Sequence, residues 1–93
     1  MIKSFGDKET EKIWNGSYSK KLPSKIQRNA QMKLGMINNV KDIIELKVPP
    51  GNKLHSLTGD LKGFNSIKIN DQWRIIFKFS NGNAFEVRIT DYH

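Results

Sequence analysis

The 93 residues include no cysteine. That excludes a disulfide framework and thiol catalysis, and it removes the usual ligands of a structural zinc. Histidine is nearly as scarce, and two imidazoles are too few for an ordinary zinc site. No apolar run approaches the roughly eighteen residues of a membrane-spanning helix. The opening MIKSFGDKETEK also lacks the apolar stretch of a secretory leader. The expectation is a cytoplasmic protein with no membrane segment. GxGxxG, GxxxxGK, GxSxG and HExxH are all missing, so dinucleotide, P-loop, serine-hydrolase and zinc-protease chemistries have no foothold. Acidic residues are the last shortage: nine Asp and Glu face sixteen Lys and Arg, a net charge of +7. Such a field draws polyanions or an acidic protein partner.

What is present fits one soluble domain over residues 1–93 with a modest core. Residues 2–5 alternate and predict an N-terminal strand. Asp7 is placed to cap a helix over 8–14 that Asn15-Gly16 stops. A second helix follows Pro23, with Leu22, Ile26, Ala30, Leu34 and Ile37 on its apolar stripe and Lys25, Arg28 and Lys33 on its polar side. Asn38-Asn39 interrupt it, 40–46 form a short third piece, and VPPG forbids helix beyond. From Lys53 the period changes to two: KLHSL is a short extended stretch, and 64–69, 73–79 and 84–90 read as three strands. The predicted class is α+β, an N-terminal strand and helices packed on one face of a mainly antiparallel sheet.

Odd-numbered residues carry the apolar side of the strands: Ile67, Ile69, Trp73, Ile75, Phe77, Phe79, Phe85, Val87 and Ile89. Directly opposed residues share a face, so odd must pair with odd. A loop of Asn70, Asp71 and Gln72 then pairs Ile69 with Trp73 and Ile67 with Ile75. A loop of Ser80, Asn81 and Gly82, with Gly82 left-handed in a bulge, pairs Phe77 with Phe85 and Ile75 with Val87. A two-residue Asn81-Gly82 turn breaks this parity and is rejected. On the even face Lys68 lies opposite Arg74 and Arg74 opposite Arg88. Opposed like charges destabilise a sheet, and an anion is the simpler occupant of such a row, with arginine's planar fork suited to phosphate. Lys68 and Arg88 are therefore predicted RNA contacts flanking Arg74.

The sequence closes on EVRITDYH. Tyr92 shares the even parity and sits at the edge of the basic row, between Asp91 and His93; His55 approaches from the side. Two imidazoles, a phenol, a carboxylate and several cations suffice for metal-free RNA cleavage. A base takes the ribose 2′-hydroxyl proton, cations stabilise charge on the phosphate, and an acid protonates the leaving 5′-oxygen. Which group is base and which is acid stays open.

The segments DIIELKVPPGNKLHSLTGDLKGFNSIKINDQWRIIF and ITDYH, with the opening MIKSFGDKETEKIWNG, resemble the HigB branch of the RelE/ParE toxin superfamily, also called plasmid-maintenance killer proteins. The PPGN-L, SI-IN-QWRI-F and DYH elements carry the likeness by occurring in that order. The resemblance implies the RelE-like ribonuclease fold and the toxin of a type II toxin-antitoxin system. Such a toxin enters the A site of the 70S ribosome and cuts mRNA during translation, without metal or other cofactor. It implies a HigA-like helix-turn-helix antitoxin that neutralises the toxin and represses the shared operon, so that operator DNA is met only through the antitoxin. It also assigns the cleavage to Asp91, Tyr92, His93 and His55, and places Arg74 as the arginine of QWRI. Two alternatives come from other classes: a gyrase-inhibiting, ParE-like toxin, and a non-catalytic nucleic-acid-binding module for which the basic face suffices. The HigB-like terminus speaks against the first.

Overall fold

Asp7 starts the first helix as its position predicts. Its carboxylate Oδ1 accepts from the Thr10 amide at 2.8 Å, satisfying one orphan donor of α1 (Lys8–Trp14). Gly16, at φ 83°, ends that helix. In this computed structural model, which describes residues 1–91, α2 (Ser24–Asn39) follows directly after Pro23. It buries Ile26, Ala30, Leu34 and Ile37, the predicted stripe. Lys33 is a correction: it lies buried rather than on the polar side, and its Nζ donates to Oδ1 of the fully buried Asn52.

The third helical piece is a 3-10 turn, Ile43–Lys47, opened by a capping box in which Asp42 accepts from the Ile44 amide and Glu45 from the Asp42 amide. Two prolines then end helical pairing, and a second 3-10 turn, Pro50–Asn52, leads into Lys53 at φ 49°. Nδ2 of Asn52 donates to the Leu46 carbonyl at 3.0 Å, so this one side chain closes the loop on itself and ties it to α2.

Four antiparallel strands follow in the order of the chain: β1 (His55–Ser56), β2 (Asn65–Lys68), β3 (Trp73–Ser80) and β4 (Asn83–Asp91). Ile67, Ile69, Ile75, Phe77, Val87 and Ile89 pack with Ile13, Ile26, Ala30, Leu34 and Ile37, which places both helices on the odd face. A hydroxyl joins the layers: Thr10 Oγ1 accepts from the Ile89 amide at 2.8 Å, wholly buried. The N-terminal strand reduces to two parallel bridges on the outer edge of β4, Ile2 to Ala84 and Phe5 to Val87. No helix among the described residues is long and apolar enough to cross a membrane.

The register between β2 and β3 is the expected one. Ile67 faces Ile75 and Lys68 faces Arg74, and the Asn70 side chain caps the loop by accepting from the amides of Gln72 and Trp73. Between β3 and β4 the expectation fails. Ser80 pairs with Asn83, so the tip is the rejected two-residue turn, with Asn81 and Gly82 both at positive φ. Parity is restored further along by a bulge at Glu86, φ 53°, whose amide donates to Ser4 Oγ at 2.9 Å. Before the bulge, the two-residue turn sets Phe85 opposite Lys78 instead of Phe77, and fully buried Ala84 enters the core in its place. Ile75 faces Ile89 rather than Val87, Arg74 faces Thr90, and Arg88 faces Ile76.

Candidate functional site

Arg74 is the second residue of β3, on the face turned away from the helices. Its Nη1 donates to Oγ of Ser66 at 3.0 Å, and Ser66 is fully buried on β2. Arg74 lines an open hollow of about 320 Å³ shared with Lys53, Leu54 and His55. Arg74 also lines a smaller hollow of about 170 Å³ whose walls include Thr90 and Asp91. His55 reaches this place because β1 pairs with β2 and sets His55 opposite Ser66. Its ring is exposed. Asp91 reaches it as the last residue of β4, opposite Trp73, and its Oδ2 accepts from Gln72 Nε2 at 3.1 Å. Arg74 thus shares one hollow with His55 and another with Asp91. Tyr92 and His93 lie outside the described residues.

The predicted row of three cations becomes two cations and a threonine. Lys68 does face Arg74, but its Nζ is 2.8 Å from Asp71 Oδ1. Hydrogen bonding to Lys68, assisted by its charge, holds the Asp71 carboxyl below the usual carboxylate range. Like-charge repulsion beside Arg74 is partly neutralised inside the protein, so the pair of cations alone does not demand an anion. Arg88 moves two positions along β3, to face Ile76, one from the two-residue turn and one from the Glu86 bulge. Its stem packs on Gly6, where an added Cβ would lie 3.1 Å from Arg88 Cδ. Its buried Nε has no hydrogen-bond partner among the described residues.

Lys53 and Ser66 belong to the site and were not predicted. Both had a readable cue: Lys53 lies two before His55, and Ser66 has the even parity of Lys68 and Arg74. Chemically the larger hollow offers two cations and an imidazole to a small anion. That set can bind a phosphodiester, stabilise added negative charge on its oxygens, and exchange a proton at the histidine.

Residues 3–93 match a family model described as the RelE-like toxin of type II toxin-antitoxin system HigB. Toxin HigB-1 of Vibrio cholerae is 35% identical over 85 residues, 90% of each chain. Endoribonuclease HigB of Proteus vulgaris is 34% identical over 93 residues, the full length of both. Among solved structures, a mutant of YafQ from E. coli superposes with a TM-score of 0.65 at 17% identity, over 98% of this chain and 91% of that one. YafQ from E. coli strain BL21(DE3) gives 0.60 at 18% identity, with the same coverage. At such identities the two YafQ structures speak for the fold alone.

Proposed function

The chain belongs to the HigB-like family of RelE-like toxins of type II toxin-antitoxin systems, and from that premise we propose that it is an endoribonuclease which cuts mRNA on the translating ribosome. The observation that supports the chemistry is that Arg74 lines two hollows, one shared with Lys53 and His55 and the other with Asp91. The scissile phosphate sits against Arg74 and Lys53. The ribose 2′-oxygen attacks phosphorus and the bond to the 5′-oxygen breaks, leaving a cyclic phosphate and a 5′-hydroxyl. Arg74 stabilises the charge that builds on the phosphate oxygens. His55, Asp91, Tyr92 and His93 supply the two proton transfers and the orientation of the groups that make them. Lys68 and Arg88 take neighbouring phosphates along the strand.

Dependence on the ribosome follows from the openness of the site. The larger hollow is open to solvent, so little on this surface aligns an RNA strand in line by itself. The ribosomal A site supplies that alignment. The antitoxin is a HigA-like helix-turn-helix protein, operator DNA is met only through it, no cofactor takes part, and the toxin acts in the cytoplasm.

The test is a purified translation reaction with mRNA ends mapped by primer extension, comparing the wild type with Arg74→Ala and Arg74→Lys. Losing the guanidinium is expected to slow cutting by about 10²–10³-fold, the range for removing one donor to a developing oxyanion. The lysine variant, which lacks the planar fork, recovers only part of it. Cutting by Arg74→Ala at the wild-type rate would remove the phosphate role, and efficient cutting of free RNA would refute the ribosome dependence.

A further inference from the structure

The extra residue of β4 is held by one residue from the opposite end of the sequence. Near the tip Lys78 faces Phe85, whereas by Ile76 the partner is Arg88, so Glu86 and Val87 share the space opposite Phe77. Without that insertion, the register of the tip carried along the strand would set Ile89 opposite Arg74 and Asp91 opposite Gln72. With it, Thr90 faces Arg74 and Asp91 faces Trp73. The bulge therefore shifts Asp91 by one residue along β3, about 3.4 Å.

Ser4 receives both amides of the insertion. Its Oγ accepts from the Glu86 amide at 2.9 Å and its carbonyl from the Val87 amide at 3.1 Å, while the Gly6 amide donates to the Val87 carbonyl at 2.8 Å. Gly6 lets the chain lie this close, since a Cβ there would meet Arg88 Cδ at 3.1 Å and the Glu86 carbonyl oxygen at 3.2 Å. Glu86 itself sits at φ 53°, a conformation that glycine usually fills in bulges. Its carboxylate only pairs with Lys78 at 3.0 Å, with both side chains about half exposed. A non-glycine residue keeps such a backbone where its surroundings over-determine it, and bulges beside active sites serve to re-aim side chains.

We propose that Ser4 is a positioning residue for cleavage: its hydroxyl locks the β4 bulge, and the locked bulge fixes the place along β3 at which the DYH sequence begins. The inference rests on the ribonuclease reading above and adds to it a residue that touches no substrate. Packing Val87 and Ile89 into the core requires an extra residue in β4 but not this hydroxyl, because the Glu86 amide is exposed and water can take over its bond. Losing the hydroxyl therefore loosens the aim of the strand and leaves the fold standing.

The test compares Ser4→Ala and Ser4→Thr with the wild type, in the purified translation reaction and in backbone-amide NMR of the free toxin. Without the hydroxyl, kcat should fall by about ten- to a hundred-fold, the scale of a misplacement of about 1 Å, with KM unchanged and the fold intact by circular dichroism. The amide signals of Arg88, Thr90 and Asp91 should broaden, and those of α2 should stay sharp. Threonine keeps the hydroxyl and should restore both the rate and the signals. Native kcat in Ser4→Ala, a loss confined to KM, or a loss that threonine does not recover would overturn the positioning role and spare the ribonuclease reading. A slower Ser4→Ala protein whose β4 signals match the wild type would also overturn it, by making Ser4 a direct contact of the ribosome or RNA. A wild type that leaves translated mRNA whole would bring down the ribonuclease reading, and this inference with it.

Discussion

Replacing Asn52 by alanine should be among the most damaging polar substitutions in this protein, although Asn52 lies in a loop. Its side chain is fully buried and bridges two groups: Oδ1 accepts from Lys33 Nζ, and Nδ2 donates to the Leu46 carbonyl at 3.0 Å. Lys33 is 8% exposed, and burial already pushes its ammonium below the ordinary lysine range. Removing Asn52 orphans that ammonium. A hydrogen bond to a charged group contributes about 1.5–3 kcal/mol, and an unsatisfied buried carbonyl costs about 1–3 kcal/mol. Allowing for overlap, Asn52→Ala should cost about 4 kcal/mol, which lowers the melting temperature by roughly 15–30 °C in a domain of this size. Lys33→Met should cost less, because the desolvated charge leaves with its partner's bond. The double variant should therefore be milder than the sum of the singles by about 2 kcal/mol, well outside the roughly 0.5 kcal/mol scatter of independent sites. Urea unfolding of all four proteins, followed by circular dichroism, gives the cycle. Additive costs, or an Asn52→Ala protein within about 1 kcal/mol of the wild type, would show that the pair does not hold the loop.

The same lysine gives a pH signature. Between its lowered folded value and the ordinary value near 10.4 the unfolded chain binds more protons than the folded one, so stability rises with pH and is lost as pH falls through the folded value. The melting temperature of the wild type minus that of Lys33→Met should accordingly increase across the alkaline range, and a flat difference would refute the burial argument. Thr10→Val orphans the Ile89 amide and should cost about 1–3 kcal/mol by urea unfolding, despite its similar volume. Ser19→Ala removes the 2.6 Å bond to Glu9 Oε1, the main cause of that carboxyl's lowered pKa; its titration, followed by NMR, should move back up. His93→Gln should slow ribosomal cutting by about 10²–10⁴-fold, the range for losing a general acid or base, with melting unchanged. Native cutting by that variant would return the DYH terminus to an ordinary polar tail.

The alternation of odd and even residues was enough to assign the core face and the facing of Lys68 on Arg74, since both depend on local pattern and one short loop. The position of the β4 bulge was not readable. It is fixed by Ser4, 82 residues away in sequence from the Glu86 amide it receives. Asn81-Gly82 gave the correct turn and parity gave the correct core, and only a bulge between them lets both hold. Lys33 looked like a surface residue because its helical position is polar by composition. Its partner lies nineteen residues on, in a loop whose path the two prolines decide. His55, Arg74 and Asp91 were named from motif likeness and chemistry, and the strand order was needed to see that Arg74 lines one hollow with His55 and another with Asp91. Arg88 was lost from the row by two one-residue shifts, the two-residue turn that also displaced Phe85 and the bulge at Glu86.

Residues 1–6 cover the outer edge of β4, with the amides of Lys3 and Gly6 donating to the carbonyls of Ala84 and Val87 at 2.8 Å. The opposite edge is β1, only two residues long. Unpaired strand edges are where one chain templates another. Here an incoming strand meets either an occupied flank or a stub, and the stub carries His55. Clipping the first six residues would turn the longest strand of the sheet into an adhesive border while leaving every predicted cleavage residue in the chain. Such a trimmed toxin would endanger its own solubility as well as the aim of its chemistry.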